Sequence, residues 1–332
     1  MVGAPVQRGH VRDLVRMLLS SLLTVLPLAA FAGYDDGARF AFIGSQQQKA
    51  IFVVDLRDRS RAEMLSLDLA PDSVAASAAL KALIVGHASE QQLTLVDLTS
   101  DVLAQIDYPL EISPDTVLVS PIGETVAVFD NDRAMIQVHA IKRRQVLVTA
   151  KNVKTITDLT FSPDGSIVYW VDQASGTLNS IDLWSEHKQL QLARENSALS
   201  AMTRSVDGSL GFVSDATSAA IHIVDLHEFR LLRTGLIGQT PARPWGTADG
   251  RYMLVPDSGN GTVTAISTLS TEFIYTVDAV ADPVSINPGW IDTVAAIVGR
   301  DGTVVFINID NGAELARAKL DGVPEAGIVT SD

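Results

Sequence analysis

The 332-residue sequence contains no cysteine. Disulfides, thiolate nucleophiles, thiolate metal sites and covalent haem attachment through Cys-x-x-Cys-His are therefore excluded. The absence also suits an oxidising compartment, where a stray thiol is a liability. Aromatic residues are scarce, 6% of the chain against 47% hydrophobic overall, so the core must be built from Val, Leu, Ile and Ala. That mix suits many narrow strands packed face to face. Positive charge is short as well: 25 Lys and Arg against 39 Asp and Glu give a formal charge of −14. No basic stripe is present, which argues against nucleic acid as a partner and leaves room for a basic protein. Catalytic motifs are missing too. There is no Gly-x-Ser-x-Gly and no phosphate-cradling Gly-rich loop opening a helix. The six histidines form no His-x-His or His-Glu-x-x-His spacing.

What is present begins with a targeting pattern. Arg8, Arg12 and Arg16 precede an apolar run of 16 residues, Met17 to Ala32, which ends in the small-x-small sequence Ala30-Phe31-Ala32. The run is short for a membrane span and reads as a secretory signal cleaved after Ala32. Residues 1–32 are thus expected to be a signal peptide and 33–332 one exported domain, periplasmic or secreted, with no membrane span after cleavage.

The rest of the chain repeats one phrase. Val54-Asp55-Leu56, Val96-Asp97-Leu98, Ile181-Asp182-Leu183 and Val224-Asp225-Leu226 are its best copies, and His139, Ser267 and Asn308 occupy the same central slot in decayed ones. The seven central positions are separated by 42, 42, 43, 43, 42 and 41 residues. Seven copies at that period indicate a seven-bladed β-propeller, all-β, with four-stranded blades. In the fourth repeat the strands are expected at 156–161, 167–171, 177–183 and 188–193, with Ser162-Pro163-Asp164-Gly165 as a tight turn. That turn recurs at a fixed offset: Asp164, Asp207 and Asp249 each lie 18 residues before the central slot, and a glycine follows each. The first repeat lacks its innermost strand, while residues 325–332 read as an innermost strand at the other end. The C-terminal strand is therefore expected to complete the first blade and close the ring, hiding strand edges.

The phrases Phe161-Ser-Pro-Asp-Gly165, Arg243-Pro-Trp-Gly-Thr-Ala-Asp-Gly250 and Val224-Asp-Leu226 resemble the YVTN-type β-propeller repeat family, over essentially the whole mature chain. The resemblance implies the propeller fold. Its architecture is shared by surface-layer proteins, heavy subunits of periplasmic amine dehydrogenases, the d-type haem propeller of nitrite reductase, lactonases and metal-delivery accessory proteins. This sequence departs from the pattern by carrying Asp130, Asp172, Asp215 and Asp257 where the family often has Asn. Repeats two, three and seven lack the Asp-Gly turn.

Six residues before the turn Asp, at the start of each innermost strand, the equivalent positions read Ser73, Asp115, Asp158, Ala201, Arg243, Val284 and Ala326. One reading is a polar ligand site at the channel mouth, with Arg243 gripping a carboxylate or phosphate and Trp245 beside it as a stacking surface. The other has Arg243 bridging blades by pairing with Asp158 or Asp115. His87, at the end of a second strand where other repeats have Asp, is placed on a short loop facing the same mouth. It is either a ligand or a solvated side chain. The recurrent aspartates at both ends of the strands are expected to cap turns through backbone amides. No catalytic residue, metal ligand or cofactor is assigned. The chain is expected to be a monomeric binding or scaffolding module for a protein partner or small polar ligand, more a binder than an enzyme. The alternative is an accessory subunit of a periplasmic redox enzyme, amine-dehydrogenase-like, or a lactonase-like hydrolase working in the central channel.

Overall fold

The computed structural model describes residues 40–55, 60–77, 80–98, 104–121, 125–184, 186–288 and 293–320. The expected signal peptide and the expected C-terminal strand at 325–332 both lie outside the described residues. No helix occurs among those described, and accordingly none is long and apolar enough to cross a membrane.

The chain forms two compact units, residues 1–147 and 148–332. The first unit carries three antiparallel sheets with strands in chain order. They are Phe40–Ser45, Ala50–Asp55 and Ser60–Ser66; then Ser73–Ser77, Ala82–His87, Gln92–Asp97 and Gln105–Pro109; then Thr116–Val119, Thr125–Asp130, Met135–Ala140 and Gln145–Lys151, the last of which contains the unit boundary. The second unit carries four sheets, again in chain order. The fourth is Ile156–Phe161, Ile167–Asp172, Thr177–Asp182 and His187–Gln191; the fifth is Leu199–Arg204, Leu210–Asp215, Ala220–Asp225 and Arg230–Leu236. The sixth is Trp245–Gly246, Tyr252–Asp257, Thr262–Ser267 and Phe273–Asp278; the seventh is Pro283–Pro288, Val294–Gly299, Thr303–Asn308 and Glu314–Lys319. Six sheets have four strands and the first has three among the described residues.

The second strands are mostly apolar runs because both of their faces are covered. Side chains alternate across a strand, so one run feeds two cores. In Ala82–His87, Leu83 and Val85 pack with Ile51 and Val96, whereas Ile84 between them packs with Val117 and Val128. In the fifth sheet Val213 packs with Val171 and Leu178, while its neighbour Phe212 packs with Met253 and Val255. Leu254, between those two, joins Ile286 and Ile297. The fourth strands are the most exposed of each sheet; Glu314–Lys319 has no buried residue, as an outer edge allows.

The turns explain the Ser-Pro-Asp-Gly phrase. Asp164 Oδ1 accepts from the Ser162 hydroxyl at 2.5 Å and from the Ser166 amide at 3.1 Å. Asp207 repeats this with Ser205 and Ser209, and Asp249 with Thr247 and Arg251. Gly165, Gly208 and Gly250 follow with φ of 69°, 75° and 71°, the left-handed region a side chain disfavours. Gly208 is doubly constrained, since a Cβ there would collide with the Pro163 ring of the preceding sheet's turn.

At the opposite end of the sheets, the aspartate closing the second strand does more than cap its own turn. Asp130 Oδ1 accepts from the Arg133 amide and Oδ2 from the Ser113 amide, both at 2.8 Å. Asp172 spans the Ser175 and Lys154 amides at 3.2 and 3.1 Å. Asp257, fully buried, takes three amides: Gly259 at 3.1 Å and Thr240 at 2.6 Å on Oδ1, and Gln239 at 2.9 Å on Oδ2. Each carboxylate thus ties the turn after the second strand to the segment entering the first strand. Gly238 (φ 63°) brings that segment in, and a Cβ there would strike the Asp257 carboxylate. Asp215 instead spends Oδ2 on the Ser218 hydroxyl at 2.6 Å. At the 3→4 turns, Asp182 caps Trp184 and Glu186, and Asp225 caps His227 and Glu228.

Removing the Asp257 carboxylate strands three amides whose bonds are part-buried, each costing about 1–3 kcal/mol when unsatisfied. Asp257→Ala should therefore lose about 3–5 kcal/mol in urea unfolding. A loss under about 1 kcal/mol would refute the clamp.

Candidate functional site

The first strands of the fourth, fifth and seventh sheets begin irregularly. Bulges fall between Ile156 and Asp158, Leu199 and Met202, and Pro283 and Ser285. A bulge re-aims the side chains beside it, and Asp158, Ala201 and Val284, three of the candidate mouth positions, sit at these points. Asp158 is directed across to the neighbouring sheets. Its Oδ2 accepts from the Met202 amide of the fifth sheet at 2.9 Å. Its Oδ1 accepts from the Leu159 amide at 3.0 Å and from Arg243 Nη2, just ahead of the sixth sheet, at 2.8 Å. One carboxylate therefore joins three consecutive sheets.

The two partners are unequally exposed: 11% of the Asp158 side chain is accessible and 49% of Arg243. Burial pushes the Asp158 carboxyl above its usual range, opposed by the Arg243 charge and the amide bonds. Arg243 meets Asp158 through Nη2, and its side chain is half-exposed. The blade-bridging pairing of Arg243 with Asp158 is thus observed. Trp245 follows in the short first strand of the sixth sheet and is partly buried against the core of Leu254, Ile286 and Ile297. Asp115, in the first unit, precedes its strand and accepts from the Asn131 amide at 2.7 Å.

His87 corrects an expectation. It does not sit on an exposed loop. It is the last residue of its strand and is fully buried. Nδ1 lies 2.8 Å from the Ala70 carbonyl and Nε2 2.9 Å from the Thr94 hydroxyl. Both ring nitrogens are engaged, so neither is available to a ligand. The clamp that its slot supplies elsewhere is made by Asp72, whose Oδ2 accepts from the Ala88 amide at 2.7 Å. The equivalent positions in the fifth sheet are Asp215 and His222: the carboxylate lies 3.7 Å from His222 Nε2, and His222 Nδ1 lies 2.9 Å from Thr234 Oγ1 on the fourth strand.

Sequence reasoning passed over Arg204, at the end of the fifth sheet's first strand. Its Nε donates to the Phe161 carbonyl at 3.0 Å and Nη1 to the Ser205 carbonyl at 3.5 Å, with no carboxylate partner among the described residues. Burial lowers its pKa. Thr157 and Ser200, at the two bulges flanking Asp158 and Ala201, hold buried hydroxyl oxygens without a protein partner. No group of three or more His, Asp or Glu is placed to hold a metal ion among the described residues.

No protein-family model matches the sequence, and no curated protein matches it. Solved structures do. A functionally unknown protein from Desulfotomaculum acetoxidans DSM 771 aligns at TM-score 0.60 and 14% identity over 86% of this chain and 96% of its own. The dihydro-heme d1 dehydrogenase NirN, in complex with DHE, aligns at TM-score 0.67 and 15% identity over 85% of this chain, which spans 64% of that protein's length. The computationally designed Ika8 protein aligns at TM-score 0.68 and 15% identity over 93% of this chain and 92% of its own. These likenesses show the fold, a seven-bladed β-propeller in which each sheet is a blade.

His139, in the central slot of the third sheet, is 2% exposed, and burial lowers its pKa from 6.5 to about 4. The unfolded chain takes up a proton through that window that the folded chain refuses. Stability is full above pH 6.5 and falls by about 3 kcal/mol by pH 4 on this account. His139→Gln should remove that portion of the pH dependence in urea titrations at pH 7 and pH 4. An unchanged slope would contradict it.

Proposed function

We propose that this chain is an exported propeller that works as a binding or scaffolding module, with Arg243 as the grip for a protein partner or small polar ligand. The observation that carries the reading is the unequal Arg243–Asp158 pair. The carboxylate is buried and fixed by two amides, so it holds the guanidinium in place. The Arg243 side chain remains half-exposed. A planar fork fixed in this way suits a carboxylate or phosphate group. Trp245 lends the neighbourhood rigidity through its core packing and offers its remaining surface to the same ligand. The targeting pattern at residues 1–32, the absence of cysteine and the YVTN-like phrases support a periplasmic or secreted location. A redox-accessory or hydrolytic role would draw on these same side chains, and no further observation favours it.

The test is affinity capture from periplasmic extract of the native host, with wild-type protein and Arg243→Ala as parallel baits. The variant should lose at least about tenfold of a partner that the wild type retains. Equal recovery by both baits, or no partner and no ligand-induced shift in melting temperature with the wild type, would count against the reading.

A further inference from the structure

The first unit carries a cleft that the sequence pattern does not announce. It has a volume of about 410 Å³ and opens between the second and third sheets, within the range of small-ligand sites, about 300–1,000 Å³. Its walls are apolar: Leu80, Leu95, Ile106 and Ile141, with the ring of Tyr108. Ile106 lines the cleft and is 50% exposed, so its apolar face is open to a ligand. Cations stand at the rim. Lys142, Arg143 and Arg144 follow one another in the turn between the third and fourth strands of the third sheet, in a chain whose net charge is −14. Lys142 and Arg144 both line the cleft.

Arg144 is held in a ready position. Its guanidinium carbon lies 5.7 Å from the centre of the Tyr108 ring, and Nη2 donates to the Asp107 carbonyl at 3.2 Å. Stacking on the ring fixes the plane of the fork. One edge is committed to the carbonyl, and no carboxylate partner engages the guanidinium among the described residues. Asp97 also lines the cleft.

We infer that this cleft binds a monocarboxylate with an apolar body, the carboxylate on Arg144 and the hydrocarbon against Leu95, Ile106 and Ile141. The site is built from the second and third sheets alone and does not depend on the role given to Arg243.

Calorimetric titration of the full chain at pH 7 with hexanoate, octanoate, octanol and octylammonium tests this. Octanoate should bind saturably and more tightly than hexanoate by about threefold per added methylene, with octanol and octylammonium at least about tenfold weaker. Arg144→Gln should weaken octanoate by at least about tenfold. Ile106→Asn, at a half-exposed position, should weaken it as well. Absence of saturable octanoate binding, equal binding of octylammonium, or full affinity in Arg144→Gln would overturn the assignment.

Discussion

The structure depends on one constraint: the part-buried backbone amides at the sheet ends, which no ladder pairs, must find acceptors. In a four-stranded meander, the chain re-enters each first strand beside the turn that follows the second strand. Both segments are irregular and partly covered, so their amides lack ladder partners. A carboxylate at the end of the second strand answers both, because it offers two oxygens and no donor. This is a physical reason for Asp at 130, 172 and 257. An asparagine could place one oxygen, but its NH2 group would meet the other amide. Asp257, with amides on both oxygens, is the case where the substitution would be least tolerable.

That use of acidity changes the meaning of the chain's composition. Much of a formal charge of −14 reads at first as a solvated surface or a set of acidic sites. Many of these carboxylates are instead consumed as backbone acceptors, in the clamps, in the Ser-x-Asp turns and in the caps at Asp182 and Asp225. What remains for recognition is better sought among the cations. Arg243, held by Asp158, and Arg144, held by Tyr108, are both positioned by a neighbour that leaves the side chain exposed. One is fixed by an ion pair and the other by an aromatic face.

The periodic features were legible in the sequence because they are local. The phrase at the central slot, its offset of 18 from the turn, and the strand alternation locate strands within a residue or two: the expected 156–161 and 177–183 are observed as Ile156–Phe161 and Thr177–Asp182. The Arg243–Asp158 pairing was legible because both occupy one equivalent position, in the fourth and sixth repeats. His87 was misjudged because its surroundings are not local. The Ala70 carbonyl and Thr94 hydroxyl that bury and saturate it come from other segments, and a strand-end residue looks the same in sequence whether covered or open. Arg204 escaped notice for the same reason, since its partner is a backbone carbonyl of another sheet. The Arg144 cleft depends on two sheets' side chains meeting, which no repeat period encodes.

The central claim is that buried carboxylates clamp irregular segments as firmly as a strand ladder would. Native-state hydrogen exchange, read at single amides, tests it most directly. The Ser113, Lys154, Gln239 and Thr240 amides lie outside every strand yet donate to clamp carboxylates. They are predicted to exchange within about tenfold of the amides inside the second strands, opening only with the surrounding sheets. Exchange at the rate of exposed loop amides would contradict the account.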